Sequence, residues 1–162
     1  MNRQTYRKMT ETVKRSTVLS GVVVKGNGIL TKLSYAGYPL FLAFLLIGKE
    51  PGVLRAVLVP GISFVLVSIF RRYYCAPRPY EVFQMSPVIE KETPGKSFPS
   101  RHVFSVFVIA ATMFHFYPAA GVLFGVAGVF LAVFRVLGGV HFPKDVIAGA
   151  TMGIGCGLAG FC

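Results

Sequence analysis

The fold is decided by residues 99–137, which read PSRHVFSVFVIAATMFHFY and then PAAGVLFGVAGVFLAVFRVL. These are two apolar segments in succession, each close to the roughly 20 residues that a helix needs to cross a bilayer. Pro118 separates them, and a third apolar segment, 141–162, follows after a short polar break. Such a succession is typical of helices that pack side by side within a membrane.

The first half of the chain repeats the pattern. One apolar span covers residues 29–48 and a second covers 53–70, where Pro60 predicts a kink. Hydrophobic residues make up 54% of the chain, and the mean hydropathy is +0.63. We therefore predict an all-α fold, a polytopic membrane bundle of about five transmembrane helices. No cleavable signal peptide is expected, because the first stretch is polar and basic.

Residues 1–28 differ from the rest because basic side chains alternate with apolar ones at helical spacing. This pattern predicts either an amphipathic helix on the membrane surface or a disordered basic tail. We expect two parts, a basic N-terminal segment over 1–28 and a membrane domain over 29–162. The polar connection 71–98 is too long for a simple turn and is expected to be a catalytic loop.

The formal net charge is +11, from 17 Lys and Arg against 6 Asp and Glu. In a membrane protein this excess indicates contact with anionic head groups or an anionic substrate, with the bilayer and a lipid as partners. Nothing resembles a basic helix or stacking platform for nucleic acid. Three cysteines, an odd number without metal-ligand spacing, argue against a disulfide framework or a zinc site.

Glycines recur every four residues in the last two spans. Such stripes allow helices to approach closely in lipid, so we interpret them as packing surfaces. They are Gly121 and Gly125 in the fourth span, and Gly149, Gly153 and Gly157 in the fifth.

Polar groups interrupt the apolar pattern at the ends of the predicted helices. Because consecutive spans run in opposite directions, the ends of the second and fourth spans and the starts of the third and fifth lie on one side of the membrane. Side chains at these ends are predicted to converge without further assumptions. They are Arg71 and Arg78, then Ser100, Arg101 and His102, then Arg135, His141 and Asp145.

This set suits phosphoryl transfer, which depends on positioning and on stabilising negative charge. Arginines bind phosphate oxygens with forked donors, and Arg71, Arg78 and Arg135 form the predicted clamp. The starts of the third and fifth helices would add N–H groups directed at an anion.

His141 and Asp145 lie four residues apart on one helix face. Asp145 would fix the tautomer of the imidazole, which leaves the other ring nitrogen free to attack phosphorus. His102 is the candidate acid for the leaving group. Single arginines at span ends can simply reach towards head groups, as expected for Arg72, Lys91 and Lys96, and His115 is assigned to the opposite interface.

These residues resemble the signature of the type 2 phosphatidic acid phosphatase superfamily, over residues 53 to 162. The signature is a Lys with Arg-Pro seven and eight residues on, Pro-Ser-Gly-His, then Ser-Arg, five residues, His, three residues and Asp. The resemblance implies a helical membrane core and a phosphohistidine mechanism that needs no metal or other cofactor. The matching positions are Arg71, Arg78, Ser100, His102, Arg135, His141 and Asp145.

The chain departs from the signature at three positions. Arg71 replaces Lys, Phe134 replaces Ser, and Arg101 replaces Gly, where it is expected to add a ligand for a phosphate or head group. The family's membrane enzymes usually have six spans, whereas five are counted here. Five spans put the N-terminal segment on the side of the site.

Two features of the sequence predict opposite sides of the membrane for the site. The positive charge of the N-terminal segment favours a cytoplasmic site, and the resemblance implies an extracytoplasmic one. We expect the extracytoplasmic side, since a surface helix could fold back or an extra crossing could lie in residues 16 to 28.

The primary hypothesis is a lipid phosphate phosphatase. Its substrate would be a polyprenyl diphosphate such as undecaprenyl diphosphate, phosphatidic acid, or phosphatidylglycerol phosphate, and the sequence does not choose among them. The alternative is a non-catalytic binder or transporter of anionic lipids, which would not need the His141 and Asp145 pair. Haloperoxidase chemistry on bound vanadate is a third reading that the membrane setting disfavours. The sequence gives no oligomeric state.

Overall fold

The computed structural model describes residues 3–90 and 94–162. Within these residues the regular structure is entirely helical, which confirms the predicted fold class. The helices, in chain order, are α1 Arg3–Arg15, α2 Thr17–Ile47, α3 Val53–Tyr74, α4 Pro79–Phe83, α5 Arg101–Phe116, α6 Pro118–Leu137 and α7 Pro143–Ala159.

The ends of α6 and α7 follow from proline and glycine. Each helix has a proline in its first turn, where the missing N–H has no intrahelical partner to lose. Each ends at a glycine, Gly138 after α6 and Gly160 after α7. The short segment 138–142 between the two helices, hereafter the catalytic turn, carries His141.

The first long helix begins at Thr17 and not near residue 29 as the sequence predicted. Ser16 caps it, because its hydroxyl accepts a hydrogen bond from the backbone N–H of Leu19 at 3.3 Å. The helix continues through Gly26, where an added Cβ would lie 2.6 Å from the ring of Phe134 in α6. Close packing of α2 on α6 compensates for the low helix propensity of glycine there.

All five apolar segments of the sequence form helices. Within residues 3–90 and 94–162, three helical stretches are long and apolar enough to cross a membrane. These are Thr17–Ile47, the stretch that opens with α3 at Val53, and Pro118–Leu137. The other two apolar helices are shorter than these stretches: α5 has 16 residues and α7 has 17. Large apolar side chains point outward from the three longer helices, for example Leu40, Leu54 and Leu123, each 70% exposed. This exposure is expected where lipid covers the surface.

Close contact between α5 and α7 forms the centre of the bundle. A Cβ added to Gly149 would lie 2.7 Å from the carbonyl oxygen of Ser100. A Cβ added to Gly153 would lie 2.6 Å from the carbonyl oxygen of Phe104. The glycine stripe of α7 therefore lets the two backbones touch, as predicted. In α6 the prediction was half right, since Gly121 packs on Phe114 whereas Gly125 faces open space.

The N-terminal segment forms a helix over the part that the structure describes. One face of α1 is buried and carries Tyr6, Thr10 and Val13, at helical spacing. Its basic side chains are exposed on the other faces. Arg3–Arg15 is therefore an amphipathic helix whose buried face packs on the rest of the protein, while its predicted contact with the membrane surface stays a prediction.

Candidate active site

The helix ends bring the chemically distinctive residues to one end of the bundle. Arg71 lies in the last turn of α3, and Arg78 precedes α4. His102 lies in the first turn of α5, His141 in the catalytic turn, and Asp145 in the first turn of α7. The predicted convergence of helix ends is what places them together.

A cavity of about 480 Å³ opens at this end. Among the described residues that line it, no side chain carries a negative charge. The cations and imidazoles on its wall are Arg71, Arg72, Arg78, Lys96, Arg101, His102 and His141. The part of α3 that precedes its two cavity-lining arginines forms a mainly apolar wall of Phe64, Val65 and Ile69, interrupted by Ser68. The cavity therefore combines a strongly positive wall with an apolar one.

His141 is only 2% exposed, and its two ring nitrogens face different groups. Nδ1 lies 3.5 Å from the Ser97 hydroxyl and 3.7 Å from Oδ2 of Asp145. Nε2 lies 3.5 Å from a terminal nitrogen of Arg78. The 3.7 Å separation is longer than a hydrogen bond. The ring thus directs Nδ1 towards the carboxylate and Nε2 towards the arginine on the cavity wall.

The Asp145 carboxylate is fully buried and fixed by two donors. The Ser97 hydroxyl donates to Oδ2 at 2.5 Å, and the backbone N–H of Phe142 donates to the same oxygen at 2.9 Å. The backbone of Asp145 also accepts from the N–H of Ser100 at 2.8 Å, which ties α7 to the start of α5.

Burial lowers the pKa of His141 from 6.5 to about 4, because the charged imidazolium is poorly solvated there. The nearby Asp145 opposes this shift, whereas the positive charges of Arg78 and Arg135 add to it. The ring is therefore neutral at neutral pH, as a nitrogen nucleophile must be.

Arg71 and Arg78 are both buried, and part of their donor capacity holds the loop before α5. Arg71 donates to the carbonyl oxygens of Lys96, Ser97 and Pro99. Arg78 donates to Gly95 O at 3.0 Å and to Val140 O at 2.9 Å. Both line the cavity, so these predicted phosphate ligands also stabilise the loop and the catalytic turn.

Two predicted phosphate ligands lie behind the cavity and not on its described lining. Ser100 is fully buried, and its hydroxyl has no partner among the described residues. Arg135 is also buried, and its Nε has no partner there either. Its carbonyl oxygen accepts from the N–H groups of Val140 and His141, each at 3.3 Å. Arg135 therefore lies directly beneath the catalytic turn.

The remaining predicted residues divide between the two ends of the bundle. Arg101 lines the cavity with its guanidinium carbon 5.4 Å from the ring centroid of Phe64. Arg72 and Lys96, which the sequence assigned to head groups, also line the cavity. His115 is at the opposite end, as predicted. Lys91 lies outside the described residues.

Sequence reasoning missed three residues that build this site. Ser97 carried no signal, because it lies outside the recognised motifs. The Glu81 carboxylate accepts hydrogen bonds from the backbone N–H of Arg78 at 2.7 Å and from that of Gly95 at 2.9 Å. Its position three residues after Arg78 is the spacing of a capping box, which is a signal in the sequence. Tyr6 contacts the catalytic turn, and only its place on the apolar face of α1 could have indicated burial.

In residues 3–90 and 94–162, no three side chains of His, Cys, Asp or Glu are grouped to hold a metal ion.

Known proteins resemble this chain in sequence. The model of the PAP2 superfamily matches residues 52–162. The bacitracin transport permease protein BcrC of Bacillus licheniformis is 31% identical over 103 residues, which are 63% of this chain and 50% of that protein. A lipid A 1-phosphatase of Rhizobium johnstonii is 31% identical over 96 residues, 56% of this chain and 39% of the relative. The chain thus spans half or less of the length of these relatives.

Solved structures resemble it over nearly the whole chain. LpxE of Aquifex aeolicus superposes with a TM-score of 0.75 at 26% identity, covering 98% of this chain and 93% of that one. A PAP2-type phosphatidylglycerolphosphate phosphatase of Bacillus subtilis superposes with a TM-score of 0.65 at 20% identity, covering 97% and 90%. The second likeness concerns the fold alone.

Proposed function

Since the chain belongs to the PAP2 superfamily, we propose that it is a membrane phosphatase that removes phosphate from a lipid phosphate ester or diphosphate. The observation that carries this proposal is the environment of His141. A buried, neutral imidazole directs Nε2 towards Arg78 on a cationic cavity wall, with a fixed carboxylate on its other side. Similarity to a protein named lipid A 1-phosphatase supports a phosphorylated lipid as substrate.

The proposed reaction has two steps on one phosphorus atom. Arg71 and Arg78 bind the oxygens of the phosphate under attack. Nε2 of His141 attacks its phosphorus while the bond to the leaving oxygen, of the lipid alcohol or of the inner phosphate of a diphosphate, breaks. His102 donates a proton to that departing oxygen. Water then attacks the phosphohistidine, His102 accepts its proton, and the P–N bond breaks to release inorganic phosphate.

Asp145 acts through His141 and not on the substrate. Phosphorylation at Nε2 leaves a proton on Nδ1 and a positive charge on the ring. A small rotation of the imidazole would bring Nδ1 within hydrogen-bond distance of the carboxylate, and the negative charge would stabilise the intermediate. The bonds from Ser97 and Phe142 hold the carboxylate ready for this role.

The substrate is proposed to enter sideways from the bilayer. Phe64, Val65 and Ile69 are apolar residues of α3 that line the cavity, and their side chains are 37%, 54% and 48% exposed. An acyl or prenyl tail could stay in lipid along this wall while the head group reaches His141. The same entry would suit an amphiphile better than a water-soluble phosphate ester.

The number of cations favours a lipid diphosphate. Arg71 and Arg78 are buried, whereas Arg72, Lys96 and Arg101 are exposed side chains further along the cavity wall. The charge of a single phosphate does not need all five cations, and the exposed three suit a second anionic group on the leaving side. We therefore place a polyprenyl diphosphate ahead of phosphatidic acid, whose leaving group is uncharged. Phosphatidylglycerol phosphate, which carries a phosphodiester on its leaving side, is also compatible with the exposed cations.

Phosphate release by detergent-purified protein from a panel of lipid mono- and diphosphates, in EDTA, tests the activity. Wild type should be active and inhibited by vanadate, and His141→Ala should lose activity by at least about 1,000-fold. His102→Ala should fall by about 100-fold or more, the scale of a lost general acid. His115→Ala is the matched control and should behave as wild type. Equal, negligible release from wild type and both site variants would support the lipid-binding alternative, and loss of wild-type activity in EDTA would contradict the metal-independent mechanism.

Arg101→Gly, which restores the signature residue, tests the substrate class in the same assay. The ratio of kcat/KM for diphosphate over monophosphate should fall by about tenfold, the effect of losing one charge-assisted contact. An unchanged ratio would remove the argument for a second phosphate.

We further propose a multi-pass protein of the cell membrane with its site on the extracytoplasmic side, as the family resemblance implies. Cys75 is exposed at the site end, and Cys162 is exposed near the opposite end of α7. In intact cells, a membrane-impermeant thiol reagent should label a variant that retains only Cys75 and spare one that retains only Cys162. The reverse pattern would place the site in the cytoplasm.

A further inference from the structure

Tyr6 is a fully buried residue on a helix whose other faces are exposed and basic. It lies outside residues 52–162, the part that the family model matches. Nothing in the proposed chemistry uses it, yet its side chain reaches the turn that carries the nucleophile.

The Tyr6 hydroxyl links the last turn of α6 to the catalytic turn. Its oxygen lies 3.0 Å from the carbonyl oxygen of Val136, in the last turn of α6, and 3.0 Å from that of His141. The ring packs between Phe83 and Phe142, with centroid distances of 5.7 and 5.8 Å. One side chain thus contacts α4, α6 and the residue that precedes α7.

The neighbouring turn of α1 covers the middle of the same segment. Gly139 has φ +78, a backbone conformation that favours glycine. A Cβ added to Gly139 would lie 3.4 Å from Cγ2 of Thr10. On another side, the N–H groups of Val88 and Ile89 donate to Gly138 O at 3.0 and 3.1 Å. The glycine turn, flexible by composition, is therefore held from outside by α1 and by the loop after α4.

We propose that Tyr6 is a positioning residue for catalysis, which fixes the backbone of His141 so that Nε2 stays aligned with bound phosphate. This inference rests on the proposed function. Its physical reason is that in-line attack on phosphorus tolerates little displacement of the nucleophile, so motion of the turn lowers the rate more than it lowers binding. The phosphate ligands Arg71 and Arg101 lie on other elements and keep their positions when the turn loosens.

The Tyr6 hydroxyl stays a donor over the whole physiological range. Burial raises the pKa of Tyr6 well above its ordinary value of 10, and the charge of Asp145 adds to the shift. The contact is therefore not a pH switch but a permanent restraint.

The test is Tyr6→Phe, which keeps the ring and removes the hydroxyl. The matched control is Tyr38→Phe, because Tyr38 also donates to a backbone carbonyl, that of Ala56 in α3, far from the site. In Tyr6→Phe, kcat should fall about three- to tenfold with KM unchanged, the scale of one lost hydrogen bond. Amide hydrogen exchange over residues 138–142 should accelerate. Tyr38→Phe should change neither quantity, whatever its effect on the melting temperature.

A purely structural anchor predicts a different outcome. If Tyr6→Phe lowers the melting temperature but leaves kcat and the exchange of 138–142 at wild-type values, the proposal is wrong. Should wild type release no phosphate from any lipid, the proposed function fails, and the exchange measurement still decides whether Tyr6 holds the turn. Unchanged exchange overturns the inference in that case as well.

Discussion

The two ends of the bundle each carry a histidine near a helix end, and their environments differ. His141 is 2% exposed, beside a buried carboxylate and the guanidinium of Arg78. His115, in the last turn of α5, is exposed and stacks on Phe161 with a centroid distance of 4.3 Å. Position at a helix end therefore does not distinguish a nucleophile from an interfacial side chain. Burial beside fixed charges does.

The carboxylates of the two ends differ in the same way. Asp145 is fully buried and accepts from Ser97 and from the backbone of Phe142. Glu50, at the opposite end, accepts one hydrogen bond of 3.3 Å from the exposed hydroxyl of Tyr117. Only the first carboxylate has a geometry that its surroundings impose.

The largest expected difference between the ends concerns these carboxylates. Asp145→Asn should lower kcat by about 100- to 1,000-fold, because the neutral amide cannot stabilise a positively charged phosphoimidazole. Glu50→Gln should leave kcat within about twofold of wild type. Steady-state phosphate release measures both, with melting temperatures to verify folding. Comparable activities for the two variants would remove Asp145 from the mechanism.

A smaller effect should separate the two ends of the glycine stripe on α7. A Cβ added to Gly149 would lie 2.7 Å from the carbonyl oxygen of Ser100, and a Cβ added to Gly157 would lie 2.4 Å from Cβ of Ala111. Each Gly→Ala change should lower stability by about 1–3 kcal/mol through overpacking. Only Gly149→Ala displaces the start of α5 and hence His102, so it alone should also reduce kcat, by about tenfold.

Gly155 is the matched control, because no atom lies within 4 Å of its would-be Cβ. Melting temperature and kcat of Gly155→Ala should equal those of wild type or improve slightly. An equal loss of kcat in Gly149→Ala and Gly157→Ala would show that the α5–α7 contact transmits strain along its whole length, contrary to the division into two ends.

The smallest expected effect is that of acid on the nucleophile. Burial lowers the pKa of His141 to about 4, so the ring is neutral above that pH and protonated below it. Its contribution to kcat/KM should change by less than about twofold from pH 7 to pH 5 and should be lost as the pH falls through about 4. A solvated histidine, with a pKa of about 6.5, would lose about 25-fold over the same interval. A pH–rate profile, corrected for ionisation of the substrate, distinguishes the two, and an acidic limb centred near 6.5 would contradict a buried neutral nucleophile.

Much of the fold was predictable because its signals are local. The lengths of α6 and α7 follow from a proline at one end and a glycine at the other, and their apolar character follows from composition. The start of α2 was mistaken, because residues 1–28 were treated as one basic segment, whereas Gly26 within it packs on Phe134 of α6. Packing between distant segments outweighed local propensity there.

The arrangement of the site was also predictable only in part. The spacing of His141 and Asp145 on one helix face and the alternation of helix direction predicted which residues come together. Neither feature could predict that Arg71 and Arg78 also hold loop carbonyls, or that Arg135 lies beneath the turn and not on the described lining of the cavity. Those details depend on the path of the loop before α5.

The sequence by itself predicted the five apolar helices and which of their ends lie together at one end of the bundle, since these depend on hydrophobic runs and on the alternation of helix direction. The tertiary structure alone decided the state of His141. Its partners Ser97 and Tyr6 lie 44 and 135 residues away in the chain. Burial, a fixed carboxylate and a held turn arise only when such distant segments pack, and these make the ring neutral and direct one nitrogen at the cavity.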